Sequence, residues 1–325
     1  LISWQGEYLI DVNGKAYLGY EKSTDKYSGY STWLNNVTSD FINEVYVYDS
    51  NSLKLQRAMD SYLAGFNYRF GLIDTQLNMR HDSIEGVGSS NTGLLGLGYN
   101  LNSNSRLIGS ISNAYHAPTL GQLYSTIEGG NPSLKPEKTN AYELGFIFKN
   151  SVNSFKATYF SLKMQDLILA SPTGTRNDWY NLPFANISNA KNNGFELNYV
   201  YKRLGYKVQF AYTHQNPVNV TDGSRLPNRA TDFGSVELSK HLDRYEVGGR
   251  FQATSERLTV SPRTFEYVNT AGYGLFGLFM SYKFDENLSL RARADNLFDK
   301  NYYSVYGYKT PGRTVFVSLH YSPIK

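Results

Sequence analysis

The chain has 325 residues, and its 32 basic and 28 acidic side chains leave a net charge of only +4, which excludes the strongly basic surface of a nucleic-acid-binding protein. It contains no cysteine, so disulfides and thiolate metal sites are excluded. No run approaches the roughly 18 consecutive apolar residues of a membrane helix, so a bilayer could be entered only by a closed β-barrel.

Taken in order, the connections alternate between short and long. Short links are predicted at 11–14, 70–73, 100–104, 149–153, 202–205, 241–243 and 284–287. Long polar stretches lie between them, at 23–57, 81–88, 116–139, 166–190, 215–228, 256–270 and 298–312. An antiparallel meander gives this pattern when its two ends face different surroundings, because every second turn lies on the same side. Fourteen connections imply fifteen strands. The stretch 23–57 has room for a further hairpin around 41–48.

The strands read with period 2. Leu288, Leu290, Ala292 and Ala294 fall on one face and Ser289, Arg291, Arg293 and Asp295 on the other. The same split separates Phe195, Leu197, Tyr199 and Tyr201 from Glu196, Asn198 and Lys202. It separates Tyr206, Val208, Phe210 and Tyr212 from Lys207, Gln209 and Thr213. It also separates Val247, Gly249, Phe251 and Ala253 from Glu246, Arg250 and Gln252. A soluble sandwich shares this alternation. Strands of about ten residues, long enough to cross a bilayer when tilted, favour a transmembrane barrel. So does an aromatic content of 15% with 28 tyrosines. Mean hydropathy is nevertheless −0.45, because half of each strand and all loops would face water. In a barrel the apolar face meets outer-membrane lipid, while Glu196, Lys207, Arg250, Arg291 and Arg293 line the lumen, a route for a hydrophilic ligand.

Pro118, Pro132 and Pro136 stiffen the long excursion 116–139. Asp295, Asn296, Asp299 and Asn301 read as an Asx-rich turn closing a hairpin, and they lack the spacing and glycine of an EF-hand calcium loop. The five histidines are scattered and no zinc-protease, serine-elbow or phosphate-loop spacing occurs, so no enzyme, metal site or cofactor is expected.

Two segments carry a family resemblance. The run 113–124, NAYHAPTLGQLY, followed by GNPSLKPEK at 130–138 and YELG at 142–145, resembles the mid-barrel signature of TonB-dependent outer-membrane receptors. The run DNLFDKNYY at 295–303, then YGYKTPGR at 306–313 and a last strand to Tyr321, is similar to the end of the same family. The stretches 120–124 and 305–313 look closest to the cobalamin receptors, whose paired arginines before a late strand match positions 228 and 229, occupied here by Asn228 and Arg229.

The resemblance implies an all-β fold, the C-terminal portion of a transmembrane up-and-down barrel of about 22 strands in the bacterial outer membrane. It implies TonB-coupled uptake of a scarce small-molecule nutrient, cobalamin first, with a siderophore or haem as the alternative. A passive porin is the reading from another class. The whole of 1–325 would be barrel. The plug, the first strands and the segment contacting TonB would lie outside this chain, which begins directly in a strand. Tyr124, Arg229, Tyr306 and Arg313 are the ligand-binding candidates.

Overall fold

The computed structural model describes residues 1–35, 47–125, 130–170, 184–261, 263–264 and 266–322. Fifteen strands pair in chain order in one antiparallel sheet. They are β1 (Ile2–Asp11), β2 (Gly14–Asn35), β3 (Val47–Phe70), β4 (Ile73–Ile84), β5 (Gly88–Asn100), β6 (Ser105–His116), β7 (Glu137–Lys149) and β8 (Asn153–Ala170). Then follow β9 (Phe184–Arg203), β10 (Tyr206–Asn219), β11 (Asp232–Leu242), β12 (Tyr245–Thr254), β15 (Tyr273–Lys283), β16 (Leu288–Asp295) and β17 (Thr314–Tyr321). A short hairpin of β13 (Arg257–Val260) and β14 (Tyr267–Thr270) stands apart between β12 and β15, and a single helical turn, α1 (Leu120–Tyr124), lies between β6 and β7.

The expected strand number and order are met, but several connections differ. The stretch 23–57 is largely strand: β2 and β3 stay paired from Gly14↔Tyr68 to Asn35↔Val47. Most of the further hairpin considered around 41–48 lies outside the described residues. Strands β8 and β9 likewise run into 166–190. The short links are built as the turn chemistry requires. The Asp285 carboxylate accepts from the Asn287 and Leu288 amides at 2.7 and 2.9 Å, and Asn150 Oδ1 accepts from the Val152 and Asn153 amides at 2.9 and 2.7 Å.

The chain divides into two compact units. The first comprises 1–97, 111–141 and 163–190; the second comprises 98–110, 142–162 and 191–325. In the second, register settles the faces. Val208, Leu238, Gly249, Leu278, Ala294 and Val315 align across six successive strands on one face. Gln209, Glu237, Arg250 and Gly277 align on the other. The apolar face is the open one: Leu238 is 53% exposed, whereas the neighbouring Ser239 is 3% exposed. Val315, Val317, Leu319, Phe251 and Met280 are also exposed, so large apolar side chains are presented outward on this face.

The first unit repeats the inversion. Trp4, Leu18, Tyr62 and Met79 are exposed on the apolar face, while Ser61, Asp82 and Arg57 are buried on the polar face. Close to the short-turn end of the apolar face, Phe66, Tyr68 and Phe70 stack in sequence, with centroids 5.8 and 4.4 Å apart. Polar residues return on that face about eight residues further up each strand, at Lys22 paired with Asp60 and at His81 bonded to Asn91. At ~3.4 Å per residue and ~45° of tilt, eight residues rise about 19 Å, close to the ~25 Å apolar band of an outer-membrane barrel.

Candidate functional site

On the polar face of the second unit the strands bring the candidate lumen residues together. Lys207 faces Ser239, Arg250 faces Glu237, Arg291 pairs with both Ser281 and Ser318, and Arg293 lies between Phe279 and Phe316. Glu196 belongs to the same face, because its neighbour Phe195 packs on the opposite side against Tyr212 and His214. The charges are partly matched. Arg250 binds the Glu237 carboxylate through Nε and Nη2 at 2.9 and 2.6 Å, and the Ser239 hydroxyl donates to Glu246 at 3.0 Å. Arg293 pairs with Asp295 at 3.0 Å and lies 4.4 Å over the Phe316 ring. Lys207 and Arg291 form no ion pair among the described residues. The resulting surface carries both cationic and anionic side chains, some of them paired.

Tyr124 ends α1 in the first unit, 39% exposed; in the second, Arg229 lies between β10 and β11, while Tyr306 and Arg313 share the connection between β16 and β17. No hydrogen bond or ring contact joins these last three among the described residues. Arg229 donates to the Pro227 carbonyl at 3.4 Å, and Tyr306 approaches Tyr303 with centroids 6.0 Å apart. The Arg313 amide donates to the Asp299 carboxylate at 2.8 Å, which leaves its exposed side chain at the mouth of β17. The Asx-rich turn closes that loop. Asn296 Oδ1 accepts from the Lys300 amide and its Nδ2 donates to the Lys300 carbonyl, both at 2.9 Å. With Asp299 engaged by backbone, the turn is structural.

The loop 116–136 is the most highly organised excursion. Thr119 caps α1 through a reciprocal pair with Gln122: the Gln122 amide donates to the Thr119 hydroxyl at 3.1 Å, and the Thr119 amide donates to the Gln122 side chain at 2.8 Å. Leu123 and Leu134 bury against Ile168 and Phe184. Asn131 Nδ2 donates to the Phe184 carbonyl at 2.8 Å, and Asn186 bonds both amide and carbonyl of Lys135 at 2.7 and 2.8 Å. Gly130 is required here, since a Cβ would lie 2.5 Å from the Ser125 nitrogen. At its other end the loop meets β2 and β3, where α1 packs and the buried Arg57 donates to the Pro118 carbonyl at 2.7 Å. From β3 to β8 is five strand spacings, roughly 24 Å of sheet, and the loop crosses it on the polar face. A polar cluster lies on that face. Arg80 binds Asp82 at 2.7 Å and Ser61 at 2.8 Å and reaches Glu21 at 3.5 Å.

These residues escaped sequence reasoning, although one signal was present. Thr119 followed three residues later by Gln122 is a helix-start signature. Arg57 has no such local mark.

The comparisons with known proteins follow this geometry. A family model described as "TonB dependent receptor-like, beta-barrel" matches residues 2–297. The vitamin B12 transporter BtuB of Vibrio vulnificus (strain YJ016) is 28% identical over 255 residues, 77% of this chain and 40% of that protein. Among solved structures, the copper transporter OprC superposes with a TM-score of 0.81 at 18% identity, covering 98% of this chain and 55% of that one. The siderophore receptor PirA from Acinetobacter baumannii gives 0.77 at 20% identity, covering 98% and 54%. The chain thus spans between two fifths and just over half the length of these relatives. At such identities the structural likenesses establish the fold, an antiparallel up-and-down transmembrane barrel sheet, and the family match is of wider reach: the chain belongs to the TonB-dependent receptor-like β-barrel family, a family of transport receptors of the bacterial outer membrane.

Proposed function

We propose that residues 1–325 are the C-terminal barrel portion of an outer-membrane receptor that takes up a scarce nutrient by TonB coupling, with its plug and first strands outside this segment, and that the nutrient is a cobalamin. The inversion of the strands carries the transport reading: exposed Leu238 beside enclosed Ser239 suits a wall with hydrocarbon outside and a wetted interior. The braced loop 116–136 supports a receptor over a general porin, because an excursion crossing the polar face obstructs free diffusion. The cobalamin reading rests on the similarity to a vitamin B12 transporter, together with the 120–124 and 305–313 stretches.

The test is titration of the purified full-length receptor with cyanocobalamin and, in parallel, with ferric enterobactin. Saturable cyanocobalamin binding, with uptake abolished in cells lacking TonB, is expected. Binding of the ferric siderophore alone would transfer the assignment to iron uptake. Steady conductance of the full-length protein in planar bilayers would identify a porin.

A further inference from the structure

We propose that Arg57 is the positioning residue of the ligand-facing loop, clamping the Pro118 carbonyl and the Asp25 carboxylate together so that α1 presents Tyr124 over the polar face. The inference deepens the receptor reading and rests on it only for what Tyr124 touches. Arg57 is 7% exposed, in β3, directly across from Asp25 in β2. Its Nη2 donates to Asp25 at 2.8 Å and its Nη1 to Pro118 at 2.7 Å. The Pro118 carbonyl precedes the Thr119 cap, so this bond is made at the first joint of the helical turn. From the sheet side, this is a direct side-chain bond from β3 to the loop. The other ties run through Asn131, Lys135 and Leu134 to β8 and β9, and the C-terminal side of α1 joins them through Leu123 and the Gln122 carbonyl, which accepts from the Asn131 amide at 2.8 Å. The C-terminal side of α1 is thus tied to the rest of the loop, and Arg57 holds the residue that precedes its first turn to β2 and β3.

The chemistry suits that task. A guanidinium delivers two donors in one rigid plane, so the carboxylate of Asp25 orients the same group that grips the carbonyl. A lysine ammonium offers a point charge without that fork. The anchor is also buried, where an unmade bond is not replaced by water. Helix α1 is only five residues long and cannot hold its own orientation.

The experiment uses the full-length receptor with Tyr124→Cys, since residues 1–325 contribute no other thiol. Maleimide labelling rates are compared with Arg57 intact and in Arg57→Ala, Arg57→Lys and Asp25→Asn, with Ser224→Cys, in the second unit, as a control. Arg57→Ala should speed labelling at position 124 at least fivefold, Arg57→Lys and Asp25→Asn should speed it by smaller factors, and labelling at position 224 should not change. With Tyr124 restored, Arg57→Ala should weaken cyanocobalamin binding at least fivefold. If Arg57→Ala does not yield a folded, heat-modifiable barrel, the lysine and asparagine variants decide. Unchanged labelling at position 124 overturns the clamp, as does faster labelling at both thiols, which means general loosening. Faster labelling at 124 with unchanged cyanocobalamin affinity also overturns the proposal, because the loop would then be held without setting the site. A wild-type receptor that fails to bind cyanocobalamin defeats the substrate reading instead, and the labelling rates, which need no ligand, still judge the clamp.

Discussion

Replacing Leu238 with arginine puts the face assignment at risk. Leu238 lies four residues from the end of β11, which at ~3.4 Å per residue and ~45° of tilt is about 10 Å above the short-turn rim and close to the middle of a ~25 Å band. It is 53% exposed between Val208 and Gly249, with no acidic side chain directly opposite on either strand. A guanidinium there should cost about 2–4 kcal/mol, or roughly a 30- to 1,000-fold shift in the folding equilibrium at 1.36 kcal/mol per decade. The comparison is Gln209→Arg, one position out of phase on the adjoining strand and opposite Glu237. It should lie within about 1 kcal/mol of wild type, since an added cation on a wetted face beside a carboxylate loses little. Urea titration of the full-length protein into vesicles, followed by heat-modifiable mobility, measures both. Equal penalties, or a larger one for Gln209→Arg, would show that the apolar face does not meet lipid.

Thr119→Ala removes the hydroxyl half of the reciprocal cap, keeps the backbone amide that donates to Gln122, and should destabilise the loop by about 1 kcal/mol, seen as faster amide exchange at 122–124. Gly65→Ala would place a methyl 1.9 Å from the ring of Tyr17, whose hydroxyl donates to Asn78, and the overpacking should cost about 1–3 kcal/mol in the same urea titration. The Asp222 carboxyl is held below its ordinary value by the Ser224 hydroxyl and then the Ser224 amide. Its folded value being depressed, this contact is present above the usual carboxylate range and is lost as pH falls through the folded value; the Ser224 amide resonance should shift there, and Asp222→Asn should abolish that titration. An epitope inserted within 223–228 should be reachable by antibody on intact cells, and access only after outer-membrane rupture would reverse the insertion direction.

What could be read in advance follows from how local each determinant is. Strand order and facing came through because alternation and turn chemistry are written within a few residues, as at Leu288 to Asp295 and in the Asp285 turn. The length of β2 and β3 did not, because Thr24, Asp25, Lys26 and Ser28 have no apolar face to maintain. The β13–β14 hairpin was missed because two strands of four residues leave too short a pattern. Arg57 could not have been picked out at all. Its partners are 32 and 61 residues away, and only the folded sheet brings Asp25 and Pro118 to one guanidinium.

The 22 residues of β2 also span two solvents. About ten suffice to cross hydrocarbon, so beyond Lys22 and Asp60 the β2–β3 pair leaves the apolar band, with α1 packed over its polar face beside Arg57. The same run of backbone bonds, Gly14↔Tyr68 to Asn35↔Val47, passes from a medium with no competing donor into one full of them. Deuterium should therefore invade this hairpin from the Asn35↔Val47 side and halt near residue 22, so that one continuous ribbon divides into an exchanging antenna and a protected stave.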